Sequence, residues 1–436
     1  MRLMLLGACA AMLVAGAANA QTKITIATVN NGDMIRMEKL AGDFKQKNPG
    51  IDLNWVTLEE NALRQKVTTD IATKGGEYDV MTIGTYEVPI WAKQGWLVPL
   101  DHLGANYDAD DILSPIRVAL SYNGKMYAAP FYGESSMLMY RKDLFDKAGL
   151  QMPAQPNWDF IKQAAAKITD KPHEIYGICL RGKPGWGENM AFLTTMANSF
   201  GGRFFDEHWK PEFNGPEWKK TLETYLDLMK NYGPPGASSN GFNENLALFQ
   251  SGKCGMWVDA TVAASFISDP KQSKVADKVA FAPAPCGTTC KNAHWLWSWA
   301  LAIPASSKQQ EAAEKFIAWA TDKGYIDLVA AKDGWANVPP GTRKSLYANP
   351  EYTKAAPFAG LTRAAIDSAD PGLNGNSLPK PYIGVQYAAI PEFQGIATAV
   401  GQQFAAALTG QIPPAQALAN AQTLSTREMM KAGLIK

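Results

Sequence analysis

Apolar and polar positions alternate in two different rhythms along the chain. Residues 23–29 (KITIATV) and 51–58 (IDLNWVTL) follow the short β-type pattern, and residues 78–83 (YDVMTI) supply a third such run. Between them Ile35, Met37, Leu40 and Phe44, then Leu63, Val67 and Ile71, recur at helical spacing. Asn30-Asn31-Gly32-Asp33 turns the chain into the first helix, Asn48-Pro49-Gly50 stops it, and Gly75-Gly76 ends the second. Strand–helix–strand–helix–strand with short turns predicts an α/β unit on a largely parallel sheet. Ligands bind outside the carboxyl ends of such strands, which places Asn30, Asn31, Glu59, Glu60, Thr85 and Tyr86 near any cleft.

Further along, residues 127–140 run extended through Pro130, and a helix starts at Lys142 and ends at Gly149. Helical patterns follow at 158–169, 189–200, 216–231 and 243–250, a β-type run at 256–258, and an apolar extended segment at 295–303. An amphipathic helix is expected at 307–321, and two more at 397–408 and 414–424. Strand signals on both sides of a helix-rich middle predict two α/β lobes, with the chain crossing between them near 128–132 and 300–305. No internal repeat or low-complexity tract interrupts this plan.

The first twenty residues differ from the rest. Met1-Arg2, an uncharged run to Ala18 and then Ala18-Asn19-Ala20 have the form of a secretory signal peptide, with cleavage expected after Ala20. A competing lipoprotein box at Leu6-Gly7-Ala8-Cys9 has a very short stretch ahead of its cysteine. Four cysteines then remain, an even number suited to an oxidising compartment. Cys286 and Cys290 frame Gly-Thr-Thr and fit a small loop disulfide, with Cys179–Cys254 as the second bridge. Adding His294 gives a Cys-x3-Cys-x3-His zinc pattern, but only three ligands are local, so no metal is expected.

The whole chain has 42 basic and 41 acidic residues, and removing Arg2 with the leader balances them. That balance, with no long run of like charge, argues against a nucleic-acid partner. Catalytic motifs fail one by one. Gly177 stands where a zincin helix after His173-Glu174 needs its second His, Gly133-Glu134-Ser135-Ser136-Met137 lacks the last glycine of a nucleophile elbow, and Pro184 follows Gly182-Lys183 where a phosphate loop needs Ser or Thr. Paired carboxylates of a glycan-acting hydrolase leave no sequence spacing, so a secreted hydrolase stays as the alternative function, with a secreted glycan-binding adhesin as a third. No cofactor is indicated.

Aromatic content carries more information: 13 Trp and 15 Tyr. Trp295, Trp297 and Trp299 alternate, so on a strand all three face one side. Core packing accounts for at least one of them; the others suit a cleft where indole faces meet the C–H surfaces of sugars and polyols while carboxylate, amide and guanidinium groups take the hydroxyls. Asp259, or else a helix cap, and Arg181, Trp186 and Asn189 in the Gly/Pro-rich RGKPGWGEN loop, are the polar candidates.

Four segments carry a family resemblance: YDVMTIGTYEVPIWAKQGWLVPLD at 78–101, KMYAAPFYGESSMLMYRKDLFDKAGL at 125–150, FQSGKCGMWVDATVAASF at 249–266 and WALAIPASSKQQEAAEKFIAWAT at 299–321. With the signal peptide, they make the chain resemble the extracellular solute-binding proteins of carbohydrate ABC importers, and within them the sorbitol/mannitol-binding branch. Arg141 stands where that family usually has Asn, and Trp297-Ser298 where it usually has Gly-Gly. The resemblance implies a type II periplasmic-binding-protein-like α/β fold with a ligand cleft between lobes of residues 21–129 plus 304–345 and 130–303 plus 346–436. It implies a non-enzymatic, monomeric periplasmic protein that closes on a polyol such as mannitol, sorbitol or arabitol and delivers it to membrane permease subunits served by a separate ATPase. Carried over by position, the cleft would be lined by Asn31, Tyr86, Glu134, Trp186, Asn189, Asp259, Trp297, Trp335 and Arg363.

Overall fold

The computed structural model describes residues 21–104 and 106–436; the expected signal peptide lies outside them. Strands β1 (Thr22–Val29), β2 (Ile51–Leu58) and β3 (Val80–Gly84) pair in parallel with β1 at the centre, and helix Glu60–Thr73 connects β2 to β3. The first helical stretch is broken at Ala41 into Gly32–Leu40 and Gly42–Lys47. Two short strands, β4 (Ser121–Tyr122) and β5 (Lys125–Met126), form a hairpin to one side.

β6 (Ala129–Glu134) and β7 (Ser136–Arg141) are almost continuous in sequence yet belong to different sheets. β7 is the middle of an antiparallel sheet with β8 (Met256–Ala260) and β9 (Val279–Pro283), while β6 pairs with β10 (Trp297–Ala302), which completes the five-stranded order β2-β1-β3-β10-β6. The first sheet is therefore parallel only on its β2-β1-β3 side, because β10 runs antiparallel to both its neighbours. Both expected crossover strands sit wholly in the first sheet. Residues 130–134 and 297–302, which the expected bounds gave to the second lobe, therefore pair with strands of the first sheet.

The second lobe is helix-rich: Trp158–Ile168, Asn189–Ser199, Pro216–Tyr232, Phe393–Leu408 and Pro414–Lys431 pack against one another. Helix Asn189–Ser199 is buried along its whole length, which is why its apolar residues show no single stripe. Cys179 is disulfide-bonded to Cys254, tying the strand-like 179 segment to the approach to β8, and Cys286 is bonded to Cys290. With both sulfurs engaged, the zinc pattern has no ligand pair, and His294 Nε2 lies 2.9 Å from Ser368 Oγ. Among the described residues no helix is long and apolar enough to cross a membrane.

The crossovers are bound to one another. Ser135 Oγ donates to Trp295 O at 2.7 Å, Trp295 N to Ser136 Oγ at 3.3 Å, and Ser298 Oγ to Tyr132 O at 3.0 Å. A further strand of chain joins them, since Gly133 N donates to Pro340 O at 2.9 Å, and the backbones at Gly133 and Gly341 touch so closely that neither has room for a Cβ. Gly341 also has φ 72°, a conformation that other residues adopt at a cost.

Candidate functional site

The carboxyl ends of β1, β2 and β3 and the amino end of β10 open on the same edge, as the sequence rule for α/β sheets requires. Asn31 follows β1 at the cap of helix Gly32–Leu40, but its side chain does not cap; Nδ2 donates instead to Tyr132 Oη at 3.0 Å. After β2, Glu59 caps the next helix and leaves Glu60 and Arg64 one turn apart on its first face. On the antiparallel pair β6–β10, Glu134 lies opposite Trp297 and Tyr132 opposite Trp299, so all four side chains share one face. Trp295, Trp297 and Trp299 all line the resulting cavity, with Trp186 entering from the loop of the second lobe.

Ring packing is dense. Trp186 meets Trp297 edge-on at 5.5 Å, and Trp297 meets Trp299 at 5.4 Å. The Arg64 guanidinium stands 4.0 Å from the Trp186 ring centroid, 4.6 Å from Trp299 and 4.9 Å from Trp297, at cation–π distance from three indoles. It is fixed there by Glu60 at 2.8 Å and Glu87 at 2.9 Å. Gly84 makes this possible: a Cβ there would run into the Trp297 ring. Gly84→Ala is expected to cost about 1–3 kcal/mol through overpacking, read as a lower urea midpoint at unchanged slope.

A second guanidinium serves the opposite wall. Arg181 donates to both oxygens of Asp259, at 2.7 Å from Nη2 and 2.9 Å from Nε, and through Nη1 to Gly187 O at 2.8 Å. Burial would lower its pKa, but Asp259 together with Glu188 and Glu60 holds it above its usual value. Glu134 is different. Burial pushes its carboxyl up to about 8; Arg181 opposes this, while Asp259 and Glu60 add to it. Among the described residues it makes no ion pair, and the indole N–H of Trp186 is buried there without a partner, while that of Trp295 lies near the Glu134 carboxyl. The cavity thus presents the Trp186 N–H, and the Trp295 N–H beside the Glu134 carboxyl, among aromatic walls.

Four of the nine expected lining residues meet at this cavity: Asn31, Glu134, Trp186 and Trp297. The other five lie elsewhere. Asp259 sits one layer behind, fully buried, its oxygens taken by Arg181, by Trp257 Nε1 at 3.0 Å and by Ala260 N at 2.7 Å. Asn189 is spent on backbone, accepting from Gly185 N at 3.2 Å and donating to Gly401 O at 2.9 Å. Tyr86 backs Trp186 at 4.9 Å and donates to Ile390 O at 3.0 Å. Trp335 lies in the turn Trp335–Asn337 beside helix Lys323–Asp333, and Arg363 pairs with Asp367 on helix Ala359–Ser368. Unanticipated lining residues include Arg64, Tyr132, Phe242 and Gln386. Arg64 had a readable signal, being four residues from Glu60 at the start of a helix that follows a strand.

The lobes touch across this cleft. Lys183 Nζ reaches Glu59 Oε1 at 2.6 Å, Asn61 Nδ2 donates to Pro184 O at 3.2 Å, and Asn243 Nδ2 to Asn30 Oδ1 at 3.2 Å. The arrangement is a closed one. Residues 31–327 match the family model of bacterial extracellular solute-binding proteins. The chain belongs to that family. This solute-binding protein is 56% identical to a mannitol-binding protein of Pseudomonas aeruginosa over 95% of its own length and 94% of the relative's. It is 71% identical, with a TM-score of 0.93, to the crystal structure of an ABC transporter solute-binding protein from Agrobacterium vitis with bound D-mannitol, covering 94% of this chain and 99% of that one. A solute-binding protein from Agrobacterium radiobacter in complex with ribitol is 29% identical, with a TM-score of 0.82 over 93% and 98% of the two chains. These relatives are binding proteins, and the alternative of a glycan hydrolase finds no support among them.

Proposed function

We propose that this solute-binding protein captures a linear polyol, of the mannitol class, between its lobes and delivers it to the permease subunits of an ABC importer. The observation that carries the reading is the bound D-mannitol of the 71% identical relative. The cleft's own chemistry agrees with it. A polyol offers a hydroxyl on every carbon and C–H faces between them. The Trp186 and Trp295 N–H groups would donate to hydroxyl oxygens, the Glu134 carboxyl and Tyr132 hydroxyl would exchange hydrogen bonds with others, and the indoles would cover the C–H surface.

Closure follows from where these groups come from. Asn31, Glu60, Arg64, Tyr132, Glu134 and the strand tryptophans belong to the first lobe; Arg181, Trp186, Phe242 and Gln386 belong to the second. A ligand touching both gains most of its contacts only when the lobes meet, so it shifts the population toward the closed form. The hinge is assigned to the chain at 134–136, 295–297 and 340–343, where serine hydroxyls and the Gly133–Gly341 contact hold three strands of chain together. Binding and release then involve no covalent chemistry, and the protein acts as a monomer in the periplasm after removal of residues 1–20. A thermal-shift panel of polyols, sugars and sugar acids tests the substrate class. A neutral polyol at 100 times its Kd should stabilise the protein by about 2.7 kcal/mol. Stabilisation by another solute class with no response to any polyol would refute the reading.

A further inference from the structure

Beyond the Arg64–Trp186 wall, which it shares with the inner cavity, lies a second, larger groove of about 910 Å³. One flank is the helix Glu60–Thr73, which presents Asn61, Gln65 and Thr68; the other is helix Phe393–Leu408 of the second lobe, which presents Gln394, Thr398 and Gln402. Trp91 and Trp96 close its end, with Tyr86 beneath. Arg64 is the one charged residue on its walls, and its charge is already met by Glu60 and Glu87. Side-chain amides both donate and accept, and two of them suit a pair of adjacent hydroxyls in either orientation. Amides facing amides between tryptophans, with no net charge, make a wall for a neutral polyhydroxylated ring system larger than a linear hexitol.

The flanks come together only because the lobes are closed: Thr68 Oγ1 donates to Gln394 Oε1 at 3.4 Å, and Tyr86 Oη to Ile390 O at 3.0 Å, both across the interface. We infer that this groove is a second, separate site for a neutral carbohydrate of about disaccharide size, formed when the inner cavity is filled and the lobes close. This rests on the polyol reading of the inner cavity. An occupant bridging both helices stabilises the closed form and so slows release of the inner ligand, the two sites being coupled through the same closure.

The test titrates maltitol and maltose into full-length protein saturated with D-mannitol, by calorimetry, with the double variant Gln65→Ala/Gln402→Ala alongside. Both glutamines are exposed, so the variant should fold and keep its mannitol affinity. A second saturable event, weakened roughly tenfold or more in the variant, is the expected result, since tenfold corresponds to about 1.4 kcal/mol and two hydrogen-bonding groups are lost. Stoichiometric displacement of mannitol, no second event with either probe, or an event the variant leaves unchanged would overturn the inference while leaving the inner site standing. Failure of mannitol itself to bind would overturn both.

Discussion

Asp259→Ala is expected to destabilise the protein by about 3–5 kcal/mol and to abolish polyol binding as a consequence. The carboxylate is fully buried and takes three donated hydrogen bonds from Arg181, one from Trp257 and one from its neighbour's amide. Removing it leaves a guanidinium buried between Trp295 and Phe242, facing Glu188 at 3.4 Å and Glu60 at 4.0 Å with the raised Glu134 carboxyl nearby. The sequence alone suggested a ligand acceptor or a helix cap; the donors it accepts from make it a support for Arg181 instead. Chemical denaturation and mannitol titration of the same variant separate the two roles. Lost affinity at wild-type stability would restore Asp259 to the ligand's own shell.

Polyol affinity should fall as pH rises from about 5 to about 9, and Glu134→Gln should flatten that profile. In the closed cleft burial lifts the Glu134 carboxyl from its ordinary 4.5 to about 8, whereas an open cleft leaves it hydrated. Closing therefore takes up a proton between those values. The favourable contribution of the raised group is complete below about 4.5, shrinks by at most tenfold in affinity per pH unit, and is gone above about 8. Glu188, also raised by burial and by Glu60, contributes in the same direction from behind the cavity. The glutamine variant mimics the neutral carboxyl, so its affinity at pH 9 should exceed that of the wild type. A flat wild-type profile, or an unchanged slope in Glu134→Gln, would contradict this linkage.

Much of the architecture was legible because one-sided burial writes itself into period. β1 and β2 fall within two residues of their expected spans, and the alternation of Trp297 and Trp299 placed two indoles on one face of β10, while Trp295, which precedes the strand, lines the same cavity. What alternation could not say is whether that face meets solvent, core or cleft; that was decided by β6, which brings Glu134 and Tyr132 alongside, and by Arg64, which fills the gap between rings. Residues 323–368 were missed as helices because they are short and capped locally, as by Asp322 and Asn349, rather than marked by a long apolar stripe. Gln386 was invisible for a different reason. It sits in a long irregular segment and is positioned by hydrogen bonds to Leu296 N at 3.3 Å and Leu296 O at 3.1 Å, contacts with no sequence period. Trp335 and Arg363, carried over by position, are not among the residues lining the inner cavity in this closed arrangement.

Isothermal titration of D-mannitol into the purified mature protein and into Trp297→Ala, with small-angle scattering of the same samples, tests the central claim most directly. One-to-one saturable binding, a smaller radius of gyration on saturation, and binding weakened by roughly a hundredfold in Trp297→Ala (about 2.7 kcal/mol, the scale of truncating a buried aromatic hot spot) are the expected results. Absence of saturable binding, or saturation with no compaction and no dependence on Trp297, would contradict it.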